Sequence, residues 1–443
     1  MPMLRMALVT VIAVAVHFVP LPALAEERFS LEEVFLLALE KNEKIQIARE
    51  DVKTAEAFKK EALSSILPKA FVNGSYSRMP EESIRFGDSG DPTILQPKEA
   101  YELMGIVEQP IYSGGKSWRG LSIARKQIES AEKGLDLSRE DLLIRVAVSF
   151  YDVLKATKNL EALARTVSRR EEHRRLSELR YRVGEVTEAI FLRAAAELAG
   201  AVADALTGEN DFKVKRRELL IMVGLPEGYE LKEPEVPAIP ADSIPELMSL
   251  AGENRIDLQI RGVQERIGEE QVKFARGGYM PTVSLEGRYF KRGQDPERTF
   301  SVDESWEALA MISIPIFQGG LIRSQVAQAK NNLNRERYQT VTVRKQVEMD
   351  VTRASLNFEA VTRVLESRED QLRFAKENFE MVSRQFTFGV VTNIDMLDAN
   401  QLLIEAERDV IQASLNRHIA ILDLQRSAGV LLDMTLGKEK TSL

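Results

Sequence analysis

The sequence predicts a mainly α protein with a small β part, built from long antiparallel coiled-coil helices and four strands. Three observations carry this. Leu321 to Phe388 holds 68 residues without a proline or glycine, a rod of roughly 100 Å at 1.5 Å per residue. Within it Val347, Val351, Ala354, Phe358, Val361, Leu365, Leu372, Ala375, Phe379, Val382 and Phe386 step by fours and threes, broken only at Arg368. That is the 3.5-residue repeat of a coiled-coil seam. The chain also repeats itself: QPIYSGG (109–115) returns as IPIFQGG (314–320), and VGEVT (183–187) as FGVVT (388–392), both at an offset of 205 residues.

Composition narrows the chemistry. Charged residues make up 29% and aromatics 7% of 443 residues, which suits long amphipathic helices. With no cysteine, a disulfide framework, a thiolate metal site, a cysteine nucleophile and an N-terminal lipid anchor on cysteine are excluded. Of three histidines, His17 lies in a segment expected to be removed. His173 and His418 each stand alone on a predicted helix and read as solvated or core residues, so no metal and no cofactor is expected. The net charge of −8 argues against nucleic-acid binding. The run Arg169 to Arg175 mixes both signs and reads as a solvated helix face.

Residues 1–25 read as a secretory signal peptide. Arg5 is the basic start, Ala7 to Val19 the apolar run, and Ala23-Leu24-Ala25 the cleavage site before Glu26. A membrane anchor is the alternative, but the run is short for a span and Pro20 and Pro22 interrupt it.

The first repeat is expected over 26–225. Ser30-Leu-Glu-Glu33 is a capping box with Phe29 and Val34 as its hydrophobic staple, opening a helix to about Ile66. Leu67-Pro68 stops it. Strands follow at about 69–79 and 100–112, separated by a loop rich in Pro, Gly, Asp and Glu, and Pro110 with Gly114 and Gly115 marks the bend into a long helix. After Pro110 no proline occurs until Pro226. A turn at 183–187 leads into a shorter helix ending near Gly224. Residues 226–242, with four prolines, form a linker. The second repeat, 243–430, restates this order, with strands at about 282–291 and 305–317 and the bend at Pro315, Gly319 and Gly320. Residues 431–443 form a tail. Residues 30–78 recur at an offset of 213, so the difference of eight residues falls in the loop between paired strands. Exposed loops tolerate such changes and packed cores do not. One long helix in each repeat matches two short ones stacked end to end.

Strands of 10–13 residues with Tyr76, Tyr101, Tyr289 and Trp306 near their ends suit a membrane barrel with an aromatic girdle. Four strands cannot close one, and an open edge cannot sit in lipid. Either they form a soluble sheet, or other copies complete them; three copies give twelve strands.

Together, the doubled order of elements, PI[YF]xGG at both bends, and the turns VGEVTEAIFLRA and FGVVTNIDMLDAN resemble the TolC family of outer-membrane efflux factors over about 28–430. The resemblance implies a homotrimer with a shared twelve-stranded transmembrane β-barrel in the outer membrane lipid and a helical tunnel through the periplasm. It implies partners too: a periplasmic adaptor and an inner-membrane RND or ABC pump. It places both turns at the periplasmic tip, with Val183, Gly184, Val186, Thr187, Phe388, Gly389, Val390 and Thr392 as candidates for adaptor docking. Simple turn chemistry is the competing account of the glycines. Asp395 and Asp398 share a helix face and match the paired aspartates of the family's constricted entrance; the competing reading is a solvated helix N-terminus. In three chains they would form two rings of three carboxylates, six in all, whose mutual repulsion should raise their pKa values unless cations bind. The family's tyrosine and arginine are replaced here by Phe386 and Val391, which puts a polar lock from those positions in doubt.

The expected function is a passive exit duct for a tripartite efflux or type I secretion system. The runner-up is a periplasmic coiled-coil adaptor without a pore. An enzyme ranks last, since the sequence shows no nucleophile–base pair, phosphate loop or metal cluster. If the leader is removed as read, mass spectrometry of protein from the membrane fraction will find an N-terminus at or near Glu26; an intact Met1 would mean an anchor instead.

Overall fold

The computed structural model describes residues 28–86, 92–241, 243–297, 303–388 and 390–437. The expected signal peptide, Gly389, the tips of the two strand-connecting loops and the last six residues of the tail lie outside them. In chain order the first half contains β1 (Arg28–Phe29), α1 (Leu31–Lys41), α2 (Glu43–Ser64), β2 (Lys69–Arg78), β3 (Ser83–Phe86), β4 (Pro92–Gln96), β5 (Glu99–Ser113), α3 (Lys116–Arg182) and α4 (Glu188–Val223). After β6 (Glu230–Leu231) come α5 (Ile244–Asn254), α6 (Ile256–Arg276), β7 (Thr282–Asp295), β8 (Glu304–Ser313), α7 (Leu321–Thr387), α8 (Asn393–Ser427) and α9 (Leu431–Leu436).

The opening helix forms where its capping box predicts: Glu33 N donates to Ser30 Oγ at 3.3 Å and Ser30 N to Glu33 Oε2 at 2.6 Å. It does not run unbroken to Ile66. Asn42 takes an extended conformation and caps α2, its Oδ1 accepting from Lys44 N at 3.0 Å. Its Nδ2 donates to Met222 O at 3.0 Å, and Lys41 Nζ donates to Gly224 O at 3.2 Å. The break docks α1 on the end of α4. The same break recurs 213 residues on, at Arg255, whose guanidinium pairs with Asp257 at 2.6 Å. Other elements also differ from the sequence reading. The loop between β2 and β5 contains the β3–β4 hairpin, the linker contributes β6, which pairs parallel with β1, and the tail begins with α9.

The long helices α3 and α7 have 67 residues each. α3 packs against α2 on one half and α4 on the other, while α7 packs against α6 and α8 in the same way. α6 and α8 also pack on α3, which joins the repeats. The heptad positions Val347, Val351, Ala354 and Ala375 are buried. Arg368, which breaks the series, pairs with Asp409 of α8 at 3.2 Å.

The sheet runs β2-β5-β7-β8, antiparallel throughout. This is the lateral order of the helices that continue each strand: α2, α3, α6, α7. Its register obeys the repeat, since Lys69↔Glu108 becomes Thr282↔Ser313 and Ser75↔Glu102 becomes Arg288↔Glu307. β5 continues past Pro110 through a bulge to Ser113 because β7 pairs with it there, whereas β8, at the sheet's edge, stops at Ser313 short of Pro315. Side chains alternate between two faces. One face carries Val72, Tyr76, Tyr101, Val107, Tyr289, Trp306 and Ile312. Tyr76 lies opposite Tyr101, and Tyr289 opposite Trp306. The other face is mostly polar, interrupted by Phe71, Met104, Ile106, Phe290, Leu309 and Met311, with ion pairs Arg288–Glu307 at 3.2 Å and Arg292–Glu102 at 2.7 Å. Nothing among the described residues covers the apolar face: Trp306 is 79% and Val72 74% exposed.

The main core sits near the middle of α3, where α1, the end of α4, and α9 converge around Phe35, Phe150, Tyr151, Leu219 and Leu431. His418 is buried beside Tyr151, ring centroids 5.7 Å apart, so it is a core histidine. Beside this core lies a buried polar layer. Arg426 pairs with Asp141, Arg255 reaches Asp350 at 3.5 Å, and Glu140 is buried between them. Burial pushes the Glu140 carboxyl up to about 7, opposed by Arg426 and Arg255. A raised folded pKa means that the native state binds a proton the unfolded state has lost, so stability falls as pH rises from about 4.5 to about 7. Glu140→Gln should therefore raise stability at pH 8, by up to about 3 kcal/mol, and give no advantage at pH 5. Denaturant melts at the two pH values check this.

Candidate functional site

The ends of the long helices farthest from the sheet form the candidate site. The first reversal is a Schellman motif, which satisfies the last carbonyls of a helix through a residue at positive φ. After α3, Gly184 (φ +79°) donates to Tyr181 O at 2.9 Å and Glu185 N to Arg180 O at 2.8 Å. After α7, Val390 N donates to Gln385 O at 3.0 Å, the same bond 205 residues on. Turn chemistry thus accounts for Gly184.

The two tips then diverge. Thr392 opens α8 with a full capping box: Asp395 N donates to Thr392 Oγ1 at 3.3 Å, and Thr392 N and Oγ1 donate to Asp395 Oδ2 at 2.8 and 2.6 Å. Thr187 opens α4 with no side-chain cap bond, and Ile190, standing where Asp395 would, has no group to accept the reciprocal bond from the N-cap backbone. These bonds from Thr392 hold the Asp395 carboxyl below its usual range. Within the single chain this carboxylate is occupied by its own helix terminus, whereas the raised pKa expected from the sequence concerns three copies around one axis. Asp398, one turn on, is exposed and forms no ion pair among the described residues.

The first-repeat tip neutralises its charges internally. Glu197 accepts from Arg170 at 2.9 Å and Arg193 at 3.1 Å, and Tyr181 stacks on Phe191 at 6.0 Å. Both tips expose apolar side chains at their outermost points. Val183 and Val390 are more than two-thirds exposed, Phe388 is 82% exposed, and Ile190, Leu192 and Ile394 add to the patch. Val186 and Thr187 lie on the same turn, with Val186 half-buried. Phe386, in place of the family's tyrosine, is exposed and offers no polar group.

At the opposite end, Gly114, Gly115, Gly319 and Gly320 all take positive φ, and Gly115 and Gly320 are the N-cap residues of α3 and α7. A Cβ at Gly114 would collide with the carbonyl oxygen of Gly277, so the first bend needs glycine for space as well as for φ. Within the chain the second bend meets no such neighbour.

Among the described residues no acidic or histidine cluster could hold a metal ion, and no helix is long and apolar enough to cross a membrane. The depressed Asp395 pKa gives a signed expectation. Its contribution to the tip is present above the usual carboxylate pKa and is lost as pH falls through the lowered value. Thr392→Ala should remove about 1 kcal/mol of cap stabilisation. Hydrogen exchange should speed up in the first turns of α8 while α4 is unaffected.

The family model described as outer membrane efflux protein matches residues 35–225 and 247–430, the two repeats on either side of the linker. Among curated relatives, the outer membrane protein TolC of Vibrio cholerae is 23% identical over 376 residues, covering 82% of this chain and 85% of that protein. The alkaline protease secretion protein AprF of Pseudomonas aeruginosa is 21% identical over 425 residues, covering 92% and 86%. The fold is that of the Campylobacter jejuni CmeC outer membrane channel, with a TM-score of 0.77, 19% identity and coverage of 93% of this chain and 87% of that one. Vibrio cholerae VceC gives a TM-score of 0.73 at 18% identity, covering 90% and 96%. The chain belongs to the outer membrane efflux protein family.

Proposed function

We propose that three copies of this chain form an outer-membrane exit duct, sharing a twelve-stranded barrel and a helical tunnel that reaches into the periplasm. The observation that carries this reading is the sheet. It has two unpaired edges, β2 and β8, one apolar face bare of any cover, and a polar face crossed by ion pairs. A soluble sheet would bury its apolar face on the chain's own helices. A lipid-facing barrel leaves it bare and must pair its edges. The adaptor reading is not favoured, because the family model spans both repeats and their paired strands.

The duct is passive, and its cargo is selected by the pump. Relatives named for alkaline protease secretion and for antibiotic efflux indicate that this architecture serves both kinds of traffic. The exposed apolar tips at Val183, Phe388 and Val390 suit docking of a periplasmic adaptor, which would join the duct to an RND or ABC pump in the inner membrane. The narrowest point is assigned to the second-repeat tips. There Asp398 supplies a ring of three free carboxylates and Asp395 a second ring whose charge is held by its helix cap. Rings of carboxylates draw cations into a pore.

Native mass spectrometry in detergent should count three chains, and planar-bilayer recordings should show cation preference and block by multivalent cations. Asp398→Asn keeps the capping box and should weaken both block and cation preference, with the trimer intact. Unchanged block in that variant would place the constriction elsewhere, and a stable monomer in plain buffer would remove the barrel.

A further inference from the structure

Six apolar side chains interrupt the polar face of the sheet: Phe71, Met104, Ile106, Phe290, Leu309 and Met311. A water-filled barrel lines its interior with polar groups, so these six need a reason. They are not scattered. Ile106 lies directly opposite Phe71 and Met104 directly opposite Phe290, and Met104 and Ile106 are two apart on β5. Such positions are neighbours on one face, so the four form a single patch. The pair on β5 also recurs. At the repeat offset of 205, Met104 and Ile106 return as Leu309 and Met311 on β8. Ile106 precedes Gly115 by nine residues, and Met311 precedes Gly320 by nine. Equal spacing from the two bends puts both pairs at one level of the sheet. Packing within the chain does not consume them: Phe71 is 48%, Met311 51% and Leu309 36% exposed.

We propose that this patch is a binding site on the inner wall of the duct, where it holds the apolar part of an amphipathic organic cation. The site rests on the duct reading, in which this face lines the lumen, and it gives the duct a preference of its own. Three copies set six apolar pairs in a collar. Methionine is flexible and polarisable, and surfaces that accept varied apolar partners use it heavily. Phe71 offers an aromatic face to a cation. Phe290 already holds one, since the Arg292 guanidinium lies 4.7 Å from its ring centroid. The charges at the rim decide the head group. Arg292 pairs with Glu102, and Arg288 pairs with both Glu286 and Glu307. Each arginine is therefore answered by a carboxylate, and the group around Arg288 has one carboxylate in surplus. Lys69 and Glu108, opposite one another, balance. A cationic head beside an apolar body matches this rim, and an anionic head does not.

Photolabelling of the whole protein in lipid nanodiscs tests this, with a benzophenone that carries a trimethylammonium group as the probe. Peptide mass spectrometry should find saturable label at Met104 and Met311, with Met434, exposed on α9, giving the unsaturable background. Strand alternation reports the face directly. Label at Met104 or Met311 is on the inner face, whereas label at Val72, Val107 or Ile312 is on the lipid face. The double variant Phe71→Thr with Phe290→Thr keeps both methionines and strand-favouring residues. It should lower the label at Met104 about tenfold, with three chains still counted by native mass spectrometry. The sulfonate analogue of the probe should label Met104 less than the ammonium does. Label confined to the lipid face, or unchanged label in the double variant, would overturn the site, and equal label from the sulfonate would overturn the cation assignment. If Met104 stays unlabelled while the trimer forms and bilayer recordings show a pore, the site falls and the duct stands. A single chain without conductance would overturn the duct and the site with it.

Discussion

The structure depends on one unmet requirement, the backbone hydrogen bonds along the outer edges of β2 and β8. Unpaired edges invite association in water and are not tolerated in hydrocarbon. Here they flank an apolar face that the chain's own helices do not cover. The sheet cannot be relieved from within, because α2, α3, α6 and α7 leave it end-on rather than folding back across it. Since each strand feeds the helix at the same lateral position, closing the sheet with further copies also closes the helical layer. Barrel and tunnel are two consequences of one edge.

The repeat explains how a single sequence satisfies this at both ends. Strand register and helix offset hold in both halves, and the eight-residue difference falls in the loop between paired strands. Where the two halves meet within the chain, β5 pairs with β7 and α6 and α8 pack on α3, with Gly114 close against Gly277 and a buried polar layer around Glu140 and Arg255. Where the second half meets no partner, its residues are of the same kind but exposed.

Much of this was legible in the sequence. The long helices, the four strands and the bends follow from proline and glycine spacing, heptad steps and alternation, all local signals. What escaped is tertiary. The helix at 30–66 shows no local breaker, and its break at Asn42 is fixed by bonds to Met222 and Gly224, some 180 residues away. β1 and β6 are two residues each and exist only because they pair with one another. The β3–β4 hairpin lies in a stretch whose Pro, Gly and charge content reads as loop. At the site, the turns are legible, and the sequence offers Asp395 both as one of a same-face pair with Asp398 and as a helix N-terminal residue. The pattern Thr392-x-x-Asp395 is itself a capping-box signature, and that was the signal available for its role.

The difference between the tips carries the functional asymmetry. In the proposed trimer six helical reversals alternate between two kinds. The first-repeat kind ties Glu197 to Arg170 and Arg193 and stacks Tyr181 on Phe191, so its charge and its rings are already satisfied. The second-repeat kind fixes its first turn with Thr392 and Asp395 and leaves Asp398 without an ionic partner among the described residues. A rigid first turn holds Asp398 in a defined direction, which a frayed terminus could not do. In the proposed duct, then, the two carboxylates have different tasks: Asp395 fixes the helix end, and Asp398, exposed one turn on, is the group available to the passage.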